Sequence, residues 1–203
     1  MLKGFFDVYG DNRRLKIAVT GSARLNVYKR GGDSLMGRYF LYRLHPLSVG
    51  ELGSAEIDTN GIFSKPVEVA PSTVESLLQF GGFPEPFLNG TMKFKARWHR
   101  QRLEQLFTED VRDLSRVQDI RQIRQLSELL SARVSGGVNV AALASDLGAT
   151  QPTVANWISL LENIYFSYEV RPWHNNVASS IRKQPKIYLW DWSQVADLLK
   201  ILP

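Results

Sequence analysis

Apolar side chains recur at helical spacing through the middle of the chain. The pattern predicts one helix between residues 91 and 114 and another between residues 119 and 134. Apolar residues three or four positions apart share one face of a helix, and that face packs against a core. We therefore expect two buried stripes: Leu103, Leu106 and Phe107 on the first helix, and Ile120, Ile123, Leu126 and Leu130 on the second.

Two short apolar runs near the start of the chain are typical of strands. Residues 15–20 predict a buried strand of a parallel sheet, and residues 38–45 predict a second strand that stops at Pro46. Two strands cannot form a domain, because their backbone edges need neighbouring strands. Residues 1–53 are therefore expected to be the end of a sheet whose other strands lie elsewhere. The polar stretch 54–71 is expected to be a linker.

A short helix is predicted to follow that linker. Ser72 can cap its first turn, and Glu75 stands three residues later, as a capping box requires. The helix is expected to end at the glycine pair Gly81 and Gly82, because glycine and the following Pro84 interrupt helices. Residues 72–135 are thus expected to form a helical region.

Residues 140–163 carry the pattern of a helix-turn-helix. The first helix is predicted from about Val140 to Leu147, with Gly148 in the left-handed position that follows a helix. The second is predicted to begin after Thr150, with Pro152 in its first turn. The apolar positions then face inward, and a small residue lets the two helices cross closely. The inward set is Leu143, Ala144, Leu147, Val154, Trp157, Ile158 and Leu161.

The polar face of the second helix is the candidate binding surface. Its residues are Thr150, Gln151, Asn156 and Ser159. Glutamine and asparagine can pair with adenine through two hydrogen bonds, and hydroxyl groups can contact phosphates or bases. Two later apolar stretches, residues 165–171 and 186–190, are expected to form a hairpin, or wing, beside which Arg182, Lys183 and Lys186 can meet phosphates. The alternative is a solvated polar face on a module that contacts another protein.

Composition narrows the function classes. The 203 residues include no cysteine, which excludes disulfides, thiol nucleophiles and thiolate metal sites. The formal net charge of +5 permits nucleic-acid binding without arguing for it. No apolar run approaches the roughly 20 residues that span a bilayer, and the N-terminus is a poor secretory signal. We expect a cytoplasmic protein with no membrane partner.

Catalytic motifs are missing from the sequence. It contains neither the glycine-rich phosphate loop GxxxxGK[ST] nor a GxSxG serine motif. The three histidines, His45, His99 and His174, lack the spacing of metal ligands. We therefore assign no catalytic residue and no metal ligand.

Six sequence blocks follow one another along the chain, at 20–25, 35–38, 44–48, 80–86, 172–176 and 183–191. In this order they resemble bacterial and archaeal AAA-like P-loop ATPases whose C-terminal domain, a winged helix followed by a nuclease-like segment, has no known function. The resemblance implies an α/β remnant of a P-loop ATPase sheet, followed by a mostly α-helical region with a winged helix-turn-helix. Residues 1–53 would be the ATPase remnant, and residues 136–203 the winged helix and the start of the nuclease-like segment.

The same resemblance implies roles for three residues of the first segment. Thr20 and Ser22 would be polar sensors near the γ-phosphate of ATP, and Arg38 would stabilise phosphate charge. An ion pair within the fold is the other interpretation of Arg38. The intact parent would use ATP and magnesium. This chain should be inactive alone and hold no cofactor, because the phosphate loop and the acidic Walker B strand are absent.

Three functional interpretations stay open at this point. The first is a C-terminal part of an ATPase whose winged helix binds DNA or a partner. The second is a non-enzymatic DNA-binding regulator in which the ATPase remnant is only a scaffold. The third is a protein-interaction module, with self-association through the uncovered sheet as one form of partner binding.

Overall fold

The chain divides into two compact units, residues 1–44 and residues 45–203. The structure, a computed structural model, describes residues 8–9, 17–21, 40, 42–53, 68–111, 119–173 and 183–195. Its described part is mostly helical, with one small antiparallel sheet in the second unit. No helix within those ranges is long and apolar enough to cross a membrane.

The strands predicted in the first unit are not formed by its described residues. Residues 17–21 and 42–44 have no regular secondary structure, and Ile17, Val19 and Leu44 are exposed. The prediction of a buried strand at 15–20 is therefore wrong for residues 17–20. The physical reason is that a strand needs a neighbour for its backbone groups, and the described residues provide none. Ser22, Arg38 and residues 54–67 of the predicted linker lie outside the described residues.

Seven α-helices occur in the described part of the second unit. They are α1 (Val49–Gly53), α2 (Pro71–Phe80), α3 (Pro84–Asn89), α4 (Met92–Gln105), α5 (Ile120–Ala132), α6 (Val140–Leu147) and α7 (Gln151–Asn163). A π-helical turn, Leu106–Val111, continues α4. The strands are β1 (Ser167–Val170) and β2 (Lys186–Leu189), and a short 3-10 helix follows at Trp192–Gln194.

The two long helices predicted from the apolar pattern are confirmed: α4 and its π-helical turn cover 92–111 of the predicted 91–114, whose last three residues lie outside the described ranges, and α5 covers 120–132 of the predicted 119–134. Thr91 caps α4 by accepting a hydrogen bond from the Phe94 N–H. Of the predicted stripes, Leu106, Phe107, Ile123, Leu126 and Leu130 are buried in the core, whereas Leu103 and Ile120 are only half-buried. These side chains stabilise the fold by removing apolar surface from water.

The capping box predicted at Ser72 and Glu75 is wrong. Helix α2 begins at Pro71, as the pattern predicted, but its N-cap position is Ala70 and no side chain caps it. Proline fits the first helical position because it has no N–H to leave unpaired there. A reciprocal box forms instead at the start of α1, where the backbone N–H of Ser48 donates to Glu51 and the N–H of Glu51 donates to Ser48. The backbone N–H and the hydroxyl of Ser48 both donate to the Glu51 carboxylate, and these two hydrogen bonds lower the pKa of Glu51.

The two helices predicted at residues 140–163 are confirmed. Asn139 caps α6 through the Ala142 N–H, at 3.1 Å, and the helix ends at Gly148, whose φ is 62°. A positive φ is accessible to glycine without a steric penalty. Thr150 then caps α7 by accepting from the Thr153 N–H. The inward face is buried as expected, except that Leu147 is only half-buried.

The two-stranded sheet follows α7 in the chain, and a short segment outside the named strands also pairs with it. Strands β1 and β2 pair antiparallel, with Tyr168 opposite Tyr188. The segment between α5 and α6 pairs with the other side of β2: the Ser135 N–H donates to the Ile187 carbonyl and the Val138 N–H to the Pro185 carbonyl, both at 2.9 Å. Strand β2 is thereby bonded on both edges, to β1 on one side and to the segment between α5 and α6 on the other.

Candidate functional site

Helix α7 has one buried face and one exposed face. Val154, Trp157, Ile158 and Leu161 are buried. The exposed side chains occupy the opposite arc of the helix, as the 3.6-residue period requires. They are Gln151, Pro152, Ala155, Asn156, Ser159 and Asn163. This exposed arc carries amide and hydroxyl groups and no charged side chain.

The hydroxyl group of Thr150 already has partners inside the protein. Its Oγ1 accepts the Thr153 N–H and lies 2.8 Å from the Thr153 hydroxyl. Thr150 therefore serves as the cap of α7, and any contact with a ligand would share that oxygen. Gln151, Asn156 and Ser159 are exposed, so their polar groups face solvent.

The basic residues predicted for the wing are only partly described. Lys183 and Lys186 are exposed, and Lys186 is the first residue of β2. Arg182 lies outside the described residues. The exposed arc of α7 itself offers no positive charge.

The first unit does not assemble a site in its described residues. Thr20 is exposed and lies in the irregular segment 17–21. Ser22 and Arg38, the other two residues of the predicted nucleotide sensor, lie outside the described residues. The sensor therefore stays a prediction.

A second polar cluster, which the sequence did not predict, lies where distant segments meet around Gly81 and Gly82. The backbone N–H of Leu47 donates to the Gly82 carbonyl at 2.7 Å. The indole N–H of Trp192 donates to the Leu77 carbonyl at 2.8 Å. The ring of His45 stacks on Trp190 with centroids 4.2 Å apart. We call this cluster, residues 45–47, 77–82 and 190–194 with His99, the glycine junction.

Asp191 is the buried acceptor at the centre of the glycine junction. Its carboxylate accepts from the Ser193 N–H at 3.1 Å, the Ser193 hydroxyl at 2.6 Å and the Gln194 side-chain amide at 3.2 Å. The Asp191 side chain is only 5% exposed. These hydrogen bonds replace the water that a carboxylate loses on burial.

His99 closes the cluster on the side of α4. Its Nδ1 lies 3.7 Å from Asp191 Oδ2, and its Nε2 lies 3.0 Å from Ser193 Oγ. Burial lowers the pKa of His99, and the nearby Asp191 carboxylate opposes that change. Burial also lowers the pKa of Lys95, whose ammonium donates to the Gln79 carbonyl.

The hydrogen bonds around Asp191 hold the segments of the glycine junction together, and they do not activate the Ser193 hydroxyl as a nucleophile. The single proton of the Ser193 hydroxyl points to Asp191, so the oxygen accepts from His99 Nε2. A serine nucleophile instead donates its proton to the histidine that acts as base. The described ranges also contain no group of three or more side chains that could hold a metal ion.

The signal for the glycine junction was present in the sequence, but only as separate blocks. Residues of the blocks 44–48, 80–86 and 183–191, three of those that carry the family resemblance, meet here. Spacing along the chain could not show that they touch. The contribution of His99 from α4 carried no sequence signal.

Comparison with known proteins gives relatives and a family, and no solved structure matches the chain. Two mycobacterial proteins, "Uncharacterized protein Rv2008c" of Mycobacterium tuberculosis and "Uncharacterized protein Mb2031c" of Mycobacterium bovis, are each 24% identical over 186 residues. The match covers 92% of this chain and 38% of each relative. The model of a domain of unknown function, DUF8612, matches residues 72–203, and the chain therefore belongs to the DUF8612 family.

Proposed function

We propose that residues 119–190 form a winged helix-turn-helix that binds duplex DNA, with α7 as its recognition helix. The order of elements supports this: a helix, a short edge segment, two helices joined at Gly148, and a hairpin whose second strand pairs with the edge segment. Winged helices combine such a helix pair with a small antiparallel sheet, and the second helix of the pair enters the major groove.

The exposed arc of α7 is the observation that carries the proposal. It presents Gln151, Asn156 and Ser159 to solvent while the opposite arc is buried. Amide side chains near the N-terminus of a recognition helix can hydrogen-bond to adenine edges. Lys183 and Lys186 would supply phosphate contacts from the hairpin, which α7 itself does not offer.

Replacing Asn156 by alanine is expected to weaken binding to a preferred duplex by about 1–3 kcal/mol and to leave binding to random DNA unchanged. The reason is that the amide reads a base edge and makes no contribution to phosphate binding. The matched control is Asn163→Ala, an exposed asparagine at the far end of the same helix, which should change neither affinity. Fluorescence anisotropy with a labelled duplex measures both.

The same titrations at two salt concentrations test the hairpin. Lys183→Ala should weaken binding to all sequences about equally and reduce the slope of log K against log salt by about one. A module that contacts proteins predicts neither effect. If the wild-type chain shows no salt-dependent binding even at low ionic strength, DNA binding is excluded and α7 is assigned to a protein partner.

We further propose that the whole protein is an AAA-like ATPase that carries this module. The glycine junction favours the proposal, because three of the blocks that carry the resemblance contact one another. Leu47 bonds to Gly82, His45 stacks on Trp190, and a side chain at Gly81 would collide with Asp191. Blocks that contact one another form one structural unit. Their joint resemblance to the family is therefore one structural feature rather than several unrelated matches.

The 203-residue chain itself is expected to bind ATP no more tightly than about 1 mM, or roughly 4 kcal/mol, and not to hydrolyse it. The sequence has no phosphate loop to supply the backbone amides and the lysine that hold the β- and γ-phosphates. Isothermal titration calorimetry with ATP and magnesium measures the affinity, and phosphate release measures turnover. Tight, magnesium-dependent binding would show that other residues form a nucleotide site.

A further inference from the structure

Helix α4 carries most of the net positive charge of the chain. Its 14 residues include five lysines and arginines and one glutamate, a net charge of +4, whereas the whole chain carries +5. Three of the five, Lys93, Arg97 and Arg100, are exposed. Because residues three or four positions apart share one face of a helix, these side chains form a stripe about 10 Å long. We call Lys93, Arg97 and Arg100 the basic stripe.

The fold itself does not use the charges of the basic stripe. Among the residues that the structure describes, no salt bridge or side-chain hydrogen bond involves any of the three side chains. The other two cations of α4 are half-buried and do have contacts within the fold. The Lys95 ammonium donates to the Gln79 carbonyl. The Arg102 guanidinium lies over the Phe83 ring, 3.9 Å from its centroid.

The basic stripe also works against the stability of α4. The helix begins at Met92, and its first turn contains no acidic residue. Cations near the N-terminus of a helix oppose the helix dipole, and like charges three or four positions apart repel each other. Lys93 is the second residue of α4 and stands one turn before Arg97, which stands one turn before Arg100. A departure from local preference with no compensating contact is typical of a functional surface.

The apolar side of α4 is occupied by the fold. Phe94 and Trp98 are half-buried, and the ring of Trp98 packs against that of Phe83 with centroids 5.0 Å apart. A helix that lies on a membrane inserts large apolar side chains beside its basic ones. Since Phe94 and Trp98 are packed against the protein, they are not available for insertion. The basic stripe therefore offers a partner charge alone.

A partner that binds through charge alone needs closely spaced negative groups. Duplex DNA carries about one negative charge per 1.7 Å of its axis, so phosphates are present along the whole length of the basic stripe. The guanidinium groups of Arg97 and Arg100 suit phosphate in particular, because each can donate two parallel hydrogen bonds to it.

We propose that the basic stripe of α4 binds the phosphate backbone of duplex DNA without regard to base sequence. This contact lies outside residues 119–190 and goes beyond the proposed helix-turn-helix. Phosphate contacts supply affinity and salt dependence, whereas base contacts supply specificity. Helix α4 provides positive charge, which the exposed arc of α7 lacks, and it does so whether α7 contacts DNA or a protein.

The test measures binding of the full chain to a random-sequence duplex by fluorescence anisotropy at several salt concentrations. Changing Lys93, Arg97 and Arg100 together to glutamine should reduce the slope of log K against log salt by about 2.7, since each lost phosphate contact removes about 0.9. Binding at low salt should weaken at least about tenfold. Arg97→Gln alone should reduce the slope by about 0.9. The preference of the triple variant for a preferred duplex over random DNA should be that of the wild type.

Two matched variants test the position and the sign of the charge. Arg121→Gln also removes one exposed positive charge, but from α5, and should leave the slope unchanged. Glu104→Gln removes an exposed negative charge one turn beyond Arg100, and it should tighten binding about twofold at low salt. If Arg121→Gln reduces the slope as much as Arg97→Gln, net charge rather than α4 determines binding, and the proposal is wrong.

Thermal unfolding separates a binding role of the basic stripe from a structural one. The triple variant should unfold at the same temperature as the wild type or at a higher one, because the substitutions relieve repulsion within α4. Circular dichroism measures this. A reduced slope together with a lower unfolding temperature would assign the three side chains to the fold and overturn the proposal.

The remaining outcomes separate α4 from α7. If the wild type binds the duplex and the triple variant keeps the full slope, the proposal for α4 is wrong while DNA binding by α7 stands. If the triple variant loses the slope and Asn156→Ala has no effect, α4 binds DNA and the reading role of α7 is wrong. Polyglutamate or phosphatidylserine vesicles that displace the duplex at equal charge concentration would assign the basic stripe to an acidic protein or a membrane instead. If the wild type does not bind, both proposals fall.

Discussion

Replacing Gly81 by alanine should lower the free energy of unfolding by about 3 kcal/mol or more. The backbone at Gly81 has φ 82° and ψ 176°, a region that residues other than glycine essentially do not occupy, at a cost of about 1–3 kcal/mol. An added Cβ would also lie 2.6 Å from both Asp191 Oδ1 and Ser193 Oγ. Both atoms belong to a hydrogen-bonded cluster, so moving them breaks further contacts. Equilibrium unfolding in urea measures the change.

The matched control for this prediction is Gly90→Ala. Gly90 also has a positive φ, 61°, but no other heavy atom lies within 4 Å of an added Cβ. Its cost should be limited to the left-handed backbone, about 1–2 kcal/mol. Equal losses for the two variants would mean that the contacts between Gly81 and Asp191 do not constrain the fold.

Replacing Asp191 by alanine is expected to destabilise the protein by about 3 kcal/mol. The substitution leaves the Ser193 N–H and hydroxyl and the Gln194 amide without their acceptor in a part-buried site. Donors that lose a partner inside the protein cost about 1–3 kcal/mol, and more when the partner was charged. Thermal and urea unfolding at pH 8 measure the loss.

The measurement is made at pH 8 because the folded state favours neutral His99. The stability that His99 contributes is present above the ordinary histidine pKa and is lost as the pH falls through the lowered pKa of the folded state.

Asp146→Ala provides the comparison. Asp146 pairs with Arg133 at 2.9 Å, but the two side chains are 44% and 43% exposed. An exposed ion pair contributes about 0–1 kcal/mol, so this variant should unfold close to the wild type. A loss as large as that of Asp191→Ala would show that removing any carboxylate, rather than the buried one, weakens the protein.

The pair of helices α6 and α7 could be predicted closely because its determinants are local. Gly148 ends one helix, Thr150 caps the next, and Val154 and Trp157 mark the inward face within two turns. Each of these effects acts between residues fewer than eight positions apart, so the order of residues specifies it. What the exposed arc of α7 binds could not be predicted from the sequence, because the same polar face suits DNA or a protein.

The apolar runs at 15–20 and 38–45 show where that local reasoning fails. Alternation and hydrophobicity predict a strand only if other strands are available to pair with it. At Ile17 and Val19 the chain is irregular and half exposed, and no described residue pairs with them. Local propensity alone therefore gave the wrong structure.

The glycine junction could not be predicted because its determinants are not local. Its contacts join segments that are far apart, as in the hydrogen bond from Trp192 to Leu77, which are 115 residues apart. Gly81 and Gly82 predict a turn, and they do end α2, but nothing local shows that Asp191 lies against the first and Leu47 against the second. In a single sequence, the residues that make such contacts stand out only as separate blocks, and nothing shows that the blocks touch.

The separation between those partners also bears on the order of folding. Closing a long loop costs more chain entropy than closing a short one, so contacts between distant residues form after local ones. Helices α6 and α7 and the hairpin meet through residues close in sequence, whereas the Leu77–Trp192 contact needs nearly the whole second unit in place. We infer that the helix pair assembles first and that the glycine junction closes last. During synthesis, a nascent chain would expose the face of α2 until Trp192 has left the ribosome.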